Sequence, residues 1–277
     1  MNRNLTLLTL YGVLSVYAIV TLSPFAWMLI TSFKEPADLF RLPPTLVPTQ
    51  LFSSTPLANY TSVLTERDFA TYFRNSLFVS GSAALGQVIT CALAGYAFAK
   101  LPFPGRNIFF AVVLATSFVP TEVTIIPEYL LMRQFGWINT FLPLIVPSFL
   151  VGSFGTFMLR EYFGALPNDY AEAARMDGAS GFRIFWDIYL PLSLPALISV
   201  FVVAFIHNWD ELLRPILYLN TPDLYTVPRG LISLVSEYDA QWTWFMAGSV
   251  ISILPLVAIY VLGQRYVIQG FAGGGIK

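Results

Sequence analysis

The side chains of this sequence with the types and spacing for chemistry gather in three places. Glu122 and Glu128 stand in an otherwise apolar run interrupted by Pro120 and Pro127. An ionised carboxylate at mid-membrane costs about 2.5–3.5 kcal/mol, so such a group faces a cavity, a partner or water. Glu122 could line a solute route and bond hydroxyl groups; pairing with a helix end, or reaching outer water, explains it too. The second place is His207-Asn208-Trp209-Asp210-Glu211. An aromatic face beside amides and carboxylates suits a hydroxyl-rich ring, and an interfacial tryptophan with solvated acids accounts for the same residues. The third reads Glu172-Ala173-Ala174, three residues, Gly178, nine residues, Ile188, one residue, Leu190-Pro191. The tripeptide alone means nothing; the full spacing is specific. His207 is the only histidine and Cys91 the only cysteine, so neither a metal-ligand set nor a disulfide framework can be assembled.

The elements that must position these groups are membrane helices. Hydrophobic residues make up 56% of the 277 and charged ones 11%, against roughly 45–50% and 25% in soluble domains. The charges cluster between apolar runs, each near the ~20 residues a spanning helix needs. Six spans are expected, at about 7–31, 76–99, 107–132, 138–159, 189–207 and 243–264. The first is too long for a signal-peptide core and lacks a cleavage site, so it reads as a retained helix. The second carries Gly81, Ser82, Ala83, Ala84, Gly86, Ala94 and Gly95, small residues that let helices approach closely in lipid. The third is broken by its prolines, and the fourth looks like a plain straight span. Lys and Arg divide almost evenly between the two sides, so composition leaves orientation open. The net charge of −1 gives no support for nucleic-acid binding.

The loop at 160–188 has its own logic. Pro167 suits a helix's first turn, Asp169 the positive end of the helix dipole and Arg175 the negative end. Gly178 can take the left-handed conformation that stops the helix. A helix of about ten residues is unstable alone in water, so something must pack against it; Ala173 and Ala174 keep its surface low. Ser180 can cap a second short helix whose Phe182, Phe185, Trp186 and Tyr189 form one aromatic stripe at the membrane interface.

That spacing resembles the EAA signature of the permease subunits of binding-protein-dependent ABC importers. Leu166-Pro167-Asn168-Asp169-Tyr170-Ala171 and Ala174-Arg175-Met176-Asp177-Gly178-Ala179-Ser180 look like the carbohydrate, maltose-permease-like branch. The likeness covers nearly the whole chain, through Ser23-Pro24-Phe25-Ala26-Trp27-Met28, Asn75-Ser76-Leu77, Ala94-Gly95-Tyr96-Ala97-Phe98-Ala99, Trp209-Asp210-Glu211 and Gly270-Phe271-Ala272-Gly273-Gly274. The resemblance implies an all-α polytopic fold of the type I ABC importer permease, one transmembrane domain over 1–277. It implies a cytoplasmic helix–turn–helix coupling loop at 160–188 and a Gly-rich cytoplasmic tail at 270–277. It also implies that Glu172, Ala173, Ala174, Met176 and Gly178 dock on an ATPase subunit, with both termini cytoplasmic in a bacterial or archaeal plasma membrane. The chain has no G-x-x-x-x-G-K-[ST] loop, so no cofactor is expected in it, and ATP and Mg fall to partner ATPase subunits. The expected partners are a second, different permease, a homodimeric or heterodimeric ATPase, an extracytoplasmic binding protein and lipid. Glu122, Asn208, Trp209, Asp210 and Glu211 stay, from their residue types alone, the candidates for the solute path, and the resemblance implies a sugar or sugar-like solute.

Other classes predict different features. A stand-alone secondary transporter normally shows inverted repeats or ion-coupling groups within the membrane, and no repeat stands out here. An intramembrane enzyme needs a nucleophile–base pair or metal ligands, which one histidine at a helix end serves poorly. An ABC permease for a non-sugar solute remains an alternative on the same motif.

Overall fold

The structure, a computed structural model, describes residues 3–43, 45–66, 68–235 and 241–273, and among them contains no β-strand. Helix α1 (Arg3–Ser32) is followed by the short α2 (Ala58–Glu66) and the long α3 (Phe69–Lys100). Next come α4 (Arg106–Ala115), α5 (Thr121–Gln134), α6 (Leu142–Ile145) and α7 (Ser153–Ala165). After α8 (Asp169–Met176), α9 (Gly181–Ile184) and α10 (Leu190–Leu192), the chain enters α11 (Leu194–Trp209). It ends with α12 (Leu213–Tyr218), α13 (Val227–Ser233) and α14 (Trp242–Gly273). Leu7–Ser32, Phe69–Lys100, Leu142–Ala165 and Trp242–Ile268 are long and apolar enough to cross a membrane. Two more spans qualify as bent pairs, Arg106–Phe118 with Thr121–Gln134 and Gly181–Leu192 with Leu194–Trp209. With each bent pair taken as one span, the six expected spans correspond to four long apolar stretches and two sharply bent pairs.

The chain forms two compact units, Met1–Ala70 with Gly230–Leu254 and Thr71–Arg229 with Pro255–Lys277. In the first, side chains tie the segment after α1 to its neighbours. Lys34 is 1% exposed, its Nζ donating to the Thr45 carbonyl and lying 4.6 Å from the centre of the Trp27 ring. Asn59 of α2 donates to the carbonyls of both Ser32 and Lys34 at 2.9 Å. These bonds satisfy the last carbonyl of α1 and one just beyond its end.

In the second unit, helix contact depends on small residues. A Cβ on Gly95 would lie 2.9 Å from Leu159 Cβ and 3.0 Å from the Arg160 backbone nitrogen, so α3 and α7 meet at van der Waals limits. Ala83, Ala84 and Ala92 are buried on α3, in keeping with close packing in lipid.

Three expectations need correction. The third span is broken as its prolines suggested, yet only at Val119-Pro120, where it turns through 99°. Val119 is extended at φ −85°, ψ 113°, because the ring of a following proline excludes helical geometry. Pro127, in contrast, stays inside α5. The fourth is not a plain helix either. It passes from α6 into a 3-10 turn at Val146–Phe149 and breaks before α7. Pro147 lacks an N–H, and α3 supplies the bonds the break needs: Thr90 Oγ1 donates to the Leu150 carbonyl and Cys91 Sγ to that of Gly152, both at 3.4 Å. Irregular backbone at membrane depth persists where protein satisfies it. The third correction concerns the aromatic stripe. Phe185–Tyr189 is a π-helical turn, which shifts the side-chain register and splits the stripe between two faces. Phe185 and Tyr189 are 3% and 0% exposed, while Phe182 and Trp186 face outward with rings stacked 6.2 Å apart.

Candidate functional site

The loop between α7 and α9 is built by its local sequence. Leu166 is extended at ψ 137°, as a residue before proline should be, which places Pro167 ahead of α8 rather than in its first turn. Asn168 precedes the helix without capping it; its Oδ1 accepts from Lys100 Nζ at 2.7 Å, and the same ammonium bonds the Leu166 carbonyl at 2.7 Å. At the other end Gly178 has φ +79°. Its N–H donates to the Arg175 carbonyl, and the Ala179 N–H reaches back to Ala174 at 2.9 Å. This pair of bonds is the Schellman stop. Ser180 then caps α9, its Oγ accepting from the Arg183 N–H at 3.3 Å.

Capped at its end and tied at its start, α8 has two different faces. Ala171 is buried, and Ala174 packs with Ala179 against a core that contains Tyr96, Phe163, Phe185 and Tyr189. Tyr96 holds that core together, its ring 5.0 Å from Phe185, 5.4 Å from Tyr189 and 5.9 Å from Phe163. Each such pair contributes about 0.5–1.5 kcal/mol beyond burial. The opposite face presents Glu172, Ala173 and Met176 outward, with Gly178 exposed beside them. Met176 is 89% exposed, an apolar, adaptable side chain on the outer face of α8. Of the five docking candidates, four share this surface and Ala174 supports it from below.

The second candidate group is dispersed by the structure. Trp209 is 2% exposed, edge-on to Phe73 and stacked on Phe205, each 5.6 Å away. Its faces are covered by protein, so it serves as packing and not as a platform for a ring. Asp210 is exposed at the end of α11, where partial burial holds its carboxyl above the usual range against the pull of His207. Glu122 is exposed in the first turn of α5, where an acid complements the helix dipole. Asn208 and Glu211, in contrast, line a cavity of about 240 Å³ with Gln87, Ser148, His207 and Arg214.

Arg214 is the residue that sequence reasoning missed. Its Nε and Nη2 bond the two oxygens of Glu128 at 2.9 and 3.1 Å, and its Nη1 bonds Glu211 at 3.1 Å. Tyr218 donates to Glu128 at 3.0 Å. The Glu128 bond raises the pKa of Arg214 against the opposing effect of burial, while burial and the Glu128 charge hold the Tyr218 phenol well above its ordinary value. Glu128, not Glu122, is the acid with an internal partner. Its other half lies 86 residues away; the only sequence signal was an acid in an apolar run that needed a cation somewhere.

Residues 91–273 match the family described as binding-protein-dependent transport system inner membrane component. The chain belongs to this family. It is a multi-pass membrane permease of the ABC importer type, and the family is one of transport components and not of enzymes. The arabinooligosaccharides transport system permease protein AraQ of Halalkalibacterium halodurans is 32% identical over 94% of this chain and 92% of its own. The sn-glycerol-3-phosphate transport system permease protein UgpE of Yersinia enterocolitica is 30% identical over 93% and 92%. Among solved structures, a bacterial ABC transporter that imports the acidic polysaccharide alginate shares the permease fold. Its TM-score is 0.81 at 23% identity, over 96% of this chain and 98% of that one.

Proposed function

We propose that this permease imports a sugar or sugar-like solute at the expense of ATP hydrolysed by partner subunits. Similarity to relatives named for arabinooligosaccharide and glycerol-3-phosphate transport supports a hydroxyl-rich solute. The working assembly is this chain, a second and different permease, a pair of ATPase subunits and an extracytoplasmic binding protein. ATP and Mg are bound in the ATPase pair, with none in this chain. The loop at 160–188 faces the cytoplasm of a bacterial or archaeal cell, as do both termini. Residues 274–277 of the proposed tail lie outside the described residues.

The observation that carries this reading is the outer face of α8. Glu172, Ala173, Met176 and Gly178 make a low surface with one exposed thioether at its centre, held by a helix stop and a buried underside. A short helix of that kind fits a groove in another protein, and the ATPase is the partner such a groove belongs to. ATP-driven closure of the ATPase pair draws the loops of the two permeases together and opens the spans outward; hydrolysis returns them.

The test is Met176→Asp, a change at an exposed site with no backbone strain. The variant should insert and fold as the parent does, yet fail to retain the ATPase during purification and lose transport. Full ATPase capture with normal transport refutes the docking surface.

A further inference from the structure

Relatives named for neutral and for acidic solutes leave open which kind this chain accepts, and the cavity bears on that choice. We infer that the cavity lined by Gln87, Ser148, His207, Asn208, Glu211 and Arg214 receives one neutral, polyhydroxylated ring and disfavours acidic sugars. The inference rests on the transport reading above and deepens it.

Size comes first. At about 240 Å³ the space falls below the ~300–1,000 Å³ of sites for drug-sized ligands, which suits one sugar ring and not an oligomer. Its chemistry is mixed in the way a sugar requires. An amide such as Gln87 offers both donors and an acceptor, and a hydroxyl such as Ser148 offers both roles from one atom. Ring hydroxyls also carry both roles. Pro147 and Pro215 add apolar patches to the wall, where the C–H face of a ring can lie.

Charge then decides between neutral and acidic rings. An arginine in a solute cavity ordinarily invites a carboxylate or phosphate. Arg214 is already engaged by two carboxylates, with three of its five N–H groups bonded to Glu128 and Glu211. Two acids on one guanidinium leave the cluster at a net charge of −1. An incoming uronate therefore meets a negative wall on which the Arg214 guanidinium is already engaged by two carboxylates. A neutral ring meets no such opposition, and the two spare N–H groups of Arg214 remain able to bond its hydroxyls.

The test uses the full chain in lipid nanodiscs and two probe pairs that differ only by a carboxylate, glucose with glucuronate and galactose with galacturonate. The readout is the midpoint of thermal unfolding at rising probe concentration. At least one neutral sugar should stabilise the protein, with its uronate weaker by about tenfold or more, because like charges oppose each other across a desolvated wall. Asn208→Leu should abolish the neutral response. Glu211→Gln removes one acid and frees one N–H of Arg214, and should bring the uronate within about threefold of its neutral partner. Equal response to both members of a pair overturns the inference, as does a Glu211→Gln variant whose preference is unchanged. Silence toward all four probes overturns the cavity assignment alone if Met176→Asp still uncouples the ATPase; if that test fails as well, the transport reading falls with it.

Discussion

Replacing Arg214 should cost more stability than replacing either acid it holds, and the structure says by how much. Glu128, Glu211 and Arg214 have side chains only 16%, 20% and 25% exposed, so solvent screens them weakly. Arg214→Gln leaves two carboxylates facing each other without their cation. Breaking a buried pair in this way costs about 3–5 kcal/mol; partial exposure argues for the lower end, about 3 kcal/mol. Glu128→Gln does the opposite. It keeps an acceptor for Tyr218, leaves Arg214 its bond to Glu211 and brings the cluster to neutrality, so the loss should be about 1 kcal/mol, one ordinary hydrogen bond. Arg214→Lys should fall between, since an ammonium restores the charge without the two-pronged geometry. The assay is reversible unfolding in mixed micelles followed by tryptophan fluorescence, with the Glu128→Gln/Arg214→Gln double variant closing a thermodynamic cycle. A Glu128→Gln loss equal to or larger than that of Arg214→Gln refutes the charge accounting. Additive single losses would show that the two residues do not act as a pair.

Four further outcomes are expected. Gly178→Asn should be tolerated better than Gly178→Val, because asparagine visits the left-handed region while other side chains lose roughly 1–2 kcal/mol there; thermal midpoints of the two variants check this. Gly95→Val should prevent accumulation of folded protein, since its Cβ would press on Arg160 backbone, as yield after membrane extraction will show. Glu122→Gln should leave transport and ATP hydrolysis nearly unchanged, and a selective loss of transport would restore it to the solute path. A cysteine at Pro56 should react with an impermeant thiol reagent from outside and one at Ser180 should not, against the silent background of the buried Cys91; the reverse pattern inverts the orientation.

Local features of this chain were legible and long-range ones were not. Gly178, Ser180 and the shortness of α8 follow from rules that act within a few residues, and each appears where those rules put it. The small residues of α3 announced close packing, though not that α7 was the partner. Pro120 signalled a break, but a proline forbids one geometry without choosing the new one, so the 99° turn could not be read. The run at 138–159 is apolar throughout, and apolarity measures membrane depth without telling α-helix from 3-10 turn; Thr90 and Cys91, on another element, decide that the backbone can break there. The π turn at Phe185–Tyr189 depends on where Phe185 and Tyr189 find room beside Tyr96. Arg214 reaches Glu128 only after the chain has folded back, which no periodicity records.

The bonds of Lys100 give α8 a mechanical character. One ammonium at the tip of α3 grips the strip of backbone leading into α8, and Ala171, Ala174 and Ala179 are seated on rings borne by α3, α7 and the chain beyond α9. An eight-residue helix is about 12 Å long, too stubby to flex, and neither end of it is slack. Were the proposed docking at Met176 to push on α8, the load would pass through these bonds and rings to the ends of α3 and α7 and to the chain beyond α9.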